Sequence, residues 1–190
     1  MDIIYTIKFF SGWHCGSGLS AGPDVDTLVI KDKNRLPFIP GKTVKGLLRE
    51  AVEEYVSLTN CIECDQSKVN SVFGHFDSAD ESKNAFSRGV AFFTNAELSS
   101  REAKAIVQNN AQDLLYKKLS ATAIGENGIA KDHSLRRIEV VVPCEMHGKI
   151  LDVPESFAKV LTNSMGLIKR LGSWRNRGLG RCIFEVGEDK

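Results

Sequence analysis

The sequence predicts a mixed α+β fold in one domain, and three observations carry that prediction. Residues 2–10 are rich in Ile, Tyr, Thr and Phe, the composition of a buried or half-buried strand. Two amphipathic helical patterns follow, one opening near Lys42–Thr43 and one over 157–171, and the second runs into a strand at 182–186. With 190 residues and 42% hydrophobic content the chain can bury one sizeable core, so a single domain over 1–190 is expected.

The first helix is announced by its approach. Pro37 and Pro40 hold the chain extended, because each restricts the residue before it to β or polyproline geometry. Gly41 lets the backbone turn, and Val44, Leu47, Leu48, Ala51, Val52, Tyr55 and Val56 then fall on one apolar face. The opposite face opens with Lys42, Lys45 and Arg49 and closes with Glu50, Glu53 and Glu54. That order opposes the helix dipole, which favours acids first. It points the opening turn, Gly41, Lys42, Thr43, Lys45 and Arg49, toward a phosphate. A plain surface helix with solvated lysines is the other reading. A Walker nucleotide loop is excluded, because the glycine it needs ahead of Gly41 is replaced by Leu36.

The remaining segments carry weaker signals. Gly12 to Gly22 form a glycine-rich loop containing Trp13 and His14. Gly16, Gly18 and Ala21 mimic a dinucleotide fingerprint, but Gly22-Pro23 prevents the helix that it requires. His14 is either a loop histidine bonded to a carbonyl or a catalytic candidate. Asp24, Asp26 and Asp32 bracket a short β run at 28–30. Such acids are turn residues, or they hold a metal or handle a proton beside a phosphate. Gly89–Thr94 reads as a second central strand, and 103–119 as weakly specified and helix-like. Residues 120–142 read as a long projecting hairpin turning at Gly125–Gly128, with Arg136 and Arg137 placed to lie across a polyanion or simply to face solvent.

The charge is segregated. Net charge is only +1, yet 156–184 holds six Lys or Arg and no Asp or Glu, while 50–81 is mostly acidic. Within that basic stretch Gly172–Arg181 places Trp174, Arg175, Arg177 and Arg181 among three glycines. Cations for phosphates beside a ring for bases suit single-stranded RNA. Cys61-x-x-Cys64 suggests a metal knuckle or a redox pair. A zinc site could add His75, or Cys144 and His147 from afar. Five cysteines without the spacing of a disulfide framework, a start lacking a basic-then-apolar leader, and no run of membrane-spanning length point to a reducing, cytoplasmic protein that does not contact membrane.

Several separated blocks resemble the RAMP superfamily of CRISPR-associated proteins, in particular the repeating backbone subunit of type III effector complexes. They are Gly12–Gly18, Val25–Asp32, Pro37–Arg49, Val72–Gly74, Ala123–Asp132, Ile138–Val140 and Gly172–Arg181. The resemblance implies an RRM-like, or ferredoxin-like, β-α-β-β-α-β core with a protruding hairpin and loop insertions. It implies partners: a guide CRISPR RNA, a target RNA, copies of the chain in a filament, and other effector subunits. Asp26 matches the aspartate with which such subunits cut target RNA, in a reaction expected to need Mg2+, and Asp32 matches a second acid of that motif. His14 is a further catalytic candidate. A structural Zn2+ in the family's knuckle would fall on Cys61 and Cys64 with His75. The alternatives are a catalytically silent backbone serving another nuclease, and an endoribonuclease that trims the guide precursor.

Overall fold

The structure, a computed structural model, describes residues 1–22, 24–59, 65–76 and 86–187. In chain order the elements are β1 (Ile3–Phe9), α1 (Gly41–Thr59), α2 (Gln66–Phe73), β2 (Gly74–Phe76), β3 (Phe86–Arg88), β4 (Phe92–Phe93), α3 (Ser100–Gln108), β5 (Tyr116–Ala121), β6 (Arg136–Val141), β7 (Glu145–Leu151), α4 (Glu155–Met165) and β8 (Cys182–Gly187). Four strands form the main sheet in the order β4-β7-β1-β8, every neighbouring pair antiparallel. The elements of this sheet and the helices α1 and α4 that pack together beside it follow one another as strand, helix, strand, strand, helix, strand. Pairs β2-β3 and β5-β6 are separate two-stranded ribbons inserted into that plan.

Alternation in β1 decides which face is covered. Ile3, Tyr5, Ile7 and Phe9 are buried, whereas Ile4, Thr6 and Lys8 between them are half-buried. The buried set joins Val44, Leu48 and Val52 of α1 and Phe157, Leu161 and Met165 of α4 in one core. Each such side chain contributes about 1.5–3 kcal/mol on burial. The start of α1 is fixed by close approach to β4. A Cβ on Gly41 would lie 2.1 Å from the Phe93 carbonyl oxygen, and the Gly41 N–H donates to Asn95 Oδ1 at 3.0 Å. Gly41→Ala is therefore expected to destabilise the fold by about 2–3 kcal/mol or more. Urea unfolding checks this, and an unchanged midpoint would contradict the approach.

Several boundaries differ from those the sequence suggests. The Gly89–Thr94 segment is not a central strand but supplies the two-residue edge strand β4. The cause is local: Val90 and Ala91 N–H groups donate to Ser71 and Val72 carbonyls at the end of α2, so they are lost to the ladder. Residues 28–30 form no strand; of the three only Val29 makes a bridge, an isolated one to Gly16. The second helix ends at Met165, because Gly166, Leu167 and Ile168 turn back onto Asn163, Ser164 and Met165 carbonyls. Hairpin pairing begins earlier than 120, at Tyr116↔Val141, and the Gly125–Gly128 turn is where it was expected.

Cys15 and Cys182 are free and buried, and burial pushes each thiol from 9.0 up to about 12. The fold thus keeps protons that an unfolded chain gives up. Stability is full below the ordinary thiol value and falls as pH rises through about 9 toward 12. Unfolding free energies from urea curves should drop between pH ~8 and ~10, by about 1 kcal/mol for each thiol. Among the described residues no helix is long and apolar enough to cross a membrane.

Candidate nucleic-acid interface

Two glycine-rich loops, far apart in sequence, pack against one another. Gly172 and Gly180 have positive φ (95° and 69°), and each sits where a side chain could not. A Cβ on Gly172 would lie 2.4 Å from the His14 carbonyl oxygen; one on Gly180 would lie 1.9 Å from that of Leu171. The Ser173 N–H donates to the His14 carbonyl at 2.9 Å, and the Gly180 N–H to Gly12 at 2.8 Å. Trp13 anchors the first loop, fully buried and stacked on Phe9 at 4.8 Å. It is core, not a ligand surface.

This junction borders two cavities. The first, of about 470 Å³, is lined by His14 and Ser17 from one loop, Lys42 and Thr43 from α1, and Ser173 and Arg175 from the other loop, with Glu50 as its carboxylate. The second, of about 1110 Å³, is lined by Asp26, His133, Arg136, Trp174, Arg175 and Arg177, among others. Gly172, Ser173 and Arg175 line both. The start of α1, the hairpin base and the loop carrying Arg175 and Arg177 thus meet along one surface.

Asp26 is exposed at the wall of the wider cavity, and the hairpin positions it. Its Oδ2 accepts the Arg137 N–H at 2.7 Å, and its own N–H donates to the Arg137 carbonyl at 2.8 Å. Lys118 Nζ pairs with Asp24 at 3.1 Å and ties the same loop to β5. Sequence reasoning missed the residue that organises this corner, Glu139. Its Oε2 accepts the Val29 N–H at 3.0 Å, its Oε1 accepts Lys31 Nζ at 2.8 Å, and its carbonyl is 2.6 Å from His14 Nδ1. A carbonyl only accepts, so Nδ1 carries the hydrogen and the Nε2 edge is left to the cavity side, against Gly16. The available signal was an acid enclosed by Ile138 and Val140.

Other expected residues lie elsewhere or are already committed. Arg49 donates to Glu53, to the Gly74 carbonyl and to Asn70, each at 2.9 Å, so it fastens α1 to the α2-β2 corner rather than facing phosphate. Arg181 lines neither cavity; it stands 6.0 Å over the Phe10 ring. Trp174 is half-buried against Ile138, Val140 and Leu179, and Arg177 covers its ring at 5.1 Å, which leaves little open stacking face. Asp32 accepts the Asn34 and Leu36 N–H groups at 2.8 Å, the work of a turn residue. Gly41 and Lys45 border a third cavity with Lys42.

Cys61 and Cys64 lie outside the described residues. His75 is exposed on β2, and no metal-holding group of His, Cys, Asp or Glu occurs among the described residues. Among the described residues Cys144 and His147 form no metal-holding group with His75. Cys144 Sγ accepts from Trp13 Nε1 at 3.4 Å, and His147 Nδ1 sits 3.0 Å from Thr6 Oγ1.

The family model described as "RAMP superfamily" matches residues 6–183. Among solved structures, one chain of a Type III-B Cmr-beta complex bound to cognate target RNA is similar with a TM-score of 0.72 and 10% identity, covering 98% of this chain and 97% of that one. A chain of the Type III-B Cmr-beta apo state gives a TM-score of 0.72 and 11% identity, over 100% and 98%. At that identity the likeness is one of fold. No curated protein matches the sequence.

Proposed function

The chain belongs to the RAMP superfamily, and from that membership we propose that it is a guide-RNA-binding backbone subunit of a type III CRISPR effector ribonucleoprotein, cutting the target RNA paired to its guide. The observation that carries the reading is the confluence of the two cavities at Gly172–Arg175, with Lys42, Arg136, Arg175 and Arg177 around them and Asp26 in the wider one. Cations spaced along a groove neutralise a backbone whatever its sequence, which is what a guide of variable sequence requires. Copies of the chain would repeat this groove along one guide, beside other effector subunits. The similar Cmr-beta assembly was solved with target RNA bound.

In the reaction proposed, the 2′-hydroxyl next to the scissile phosphate attacks phosphorus and its proton passes to solvent. The bond to the 5′-oxygen breaks and that oxygen takes a proton from solvent, leaving a 2′,3′-cyclic phosphate and a 5′-hydroxyl. Asp26 fits a Mg2+ ion, which is usually held by one or two carboxylates while water and phosphate oxygens complete its shell; when bound, the ion offsets charge on the reacting phosphate. The Arg137 N–H fixes the carboxylate, and Arg136, Arg175 and Arg177 hold the strand beside it. One observation favours a catalytically silent backbone instead: among the described residues Asp26 is the single carboxylate lining that cavity.

Photocrosslinking tests the RNA path. A thiouridine-substituted guide should crosslink to peptides containing Lys42 and Gly172–Arg177; crosslinks confined to the open face of the main sheet would place the RNA elsewhere. The proposed zinc on Cys61, Cys64 and His75 is tested by metal analysis. About one zinc per chain is expected, lost in Cys61→Ser. Protein purified without chelator yet free of zinc would end that proposal.

A further inference from the structure

The third cavity, of about 510 Å³, shares Lys42 with the first, and the reading above leaves it without a role. Lys42 and Lys45 of α1, Arg88 of β3, and Val90 and Phe92 line it. Phe92 is the anomaly. In β4 the side chains alternate: Phe93 turns inward and stacks on Phe73 at 5.5 Å, so Phe92 turns outward, 53% exposed. The outward position of an edge strand ordinarily carries a polar residue, and Val90 beside it is 54% exposed.

The platform is held firmly. Arg88 pairs with Gly74 in the β2-β3 ribbon, and Val90 and Ala91 are bonded to Ser71 and Val72. A Cβ on Gly89 would lie 2.3 Å from the Val72 carbonyl oxygen. Phe92 pairs with Leu151 in the main sheet. Among the described residues none of Lys42, Lys45 and Arg88 is in an ion pair, and Asp152 is the one acid lining the cavity.

We propose that Phe92 is a base-stacking platform on which single-stranded RNA lays one nucleobase, with Lys42, Lys45 and Arg88 around it taking the flanking phosphates. An exposed ring among unpaired cations is the sequence-tolerant chemistry of single-strand binding. The apolar tip of a neighbouring copy's hairpin, which exposes Ile124 and Ile129, is a poorer fit. Lys117, Lys118, Lys131, Arg136 and Arg137 outnumber Glu126, Asp132 and Glu139 along that hairpin, so as a whole it is positive and would meet three cations. The self-association arm of the test below reads the tip, where Glu126 and Asp132 lie. The proposal rests on the RNA-binding reading above and extends the RNA path around the start of α1.

The test titrates fluorescently labelled single-stranded RNA into the purified full chain. Phe92→Ala should weaken binding about tenfold, within the range for losing one stacked base. Its salt slope should stay unchanged, and the loss should vanish on RNA made abasic throughout. Phe92→Trp should restore affinity, with its tryptophan emission quenched by RNA in excess of wild type. Lys45→Gln with Arg88→Gln should instead flatten the salt slope by roughly 1.4. Normal affinity in Phe92→Ala, or Phe92→Trp without quenching, overturns the platform while RNA binding that depends on Arg175 keeps the main reading. An altered self-association of Phe92→Ala with RNA affinity intact makes the site a protein contact and also overturns it. Absence of RNA binding by the wild-type chain, alone and in the assembled complex, overturns both.

Discussion

Replacing Asp26 with Ala should leave the effector complex assembled and able to bind target, but lower magnesium-dependent target cleavage at least about a hundredfold, the scale of losing one positioned catalytic group. Among the described residues the carboxylate accepts one hydrogen bond, from the Arg137 N–H, and it lies at an exposed wall, so its loss costs little stability. Asp26→Asn separates chemistry from structure: its amide oxygen still accepts from Arg137, yet the charge is gone, and cleavage should fall equally. His14→Ala should do less, because His14 lines the first cavity and not the wider one where Asp26 sits. Asp32→Ala should do least, since its carboxylate closes a turn. The rate of cleavage of end-labelled target by equal amounts of assembled complex is the measurement. Cutting that survives without Asp26 would place the active site elsewhere.

Removing Lys42 and Arg175 together should weaken guide-RNA binding by tenfold or more at about physiological salt and flatten the salt slope by roughly 1.4, one phosphate contact for each. Both side chains line the first cavity, from elements that meet only in the fold, and both belong to exposed residues. Lys42→Gln with Arg175→Gln removes both charges while keeping polar side chains at exposed positions, and should leave the urea midpoint near wild type. The Arg175 carbonyl also accepts from Arg170, a bond the substitution retains. Affinity and slope both unchanged would mean that RNA takes another face.

The contrast between α1 and β7 shows what made parts of this fold legible. The Pro-Gly entry and the apolar face from Val44 to Val56 are local signals, and α1 starts at Gly41, one residue from where they point. Strand β7 sits inside the sheet yet escaped notice, because Gly148 interrupts its apolar alternation. That glycine answers a distant demand: a Cβ there would lie 2.3 Å from the Tyr5 hydroxyl. The candidate site divides the same way. Lys42, Arg136, Arg175 and Arg177 were readable as clustered charge, and the structure brings them to adjoining cavities. Arg49 carried the same charge signal and Trp174 a stacking one, but Asn70 and Gly74 claim the first and Leu179 and Ile138 the second. Glu139 and Phe92 acquire meaning only from what lies opposite them in space.

The most direct test of the central claim mixes the guide-loaded complex with end-labelled complementary target RNA, with and without magnesium. Because each subunit along the guide would carry one Asp26, the target should be cut at a fixed spacing, once for each subunit, only when magnesium is present, leaving cyclic phosphate ends. A target that binds the complex and stays intact with magnesium would contradict the account and make this chain a silent backbone.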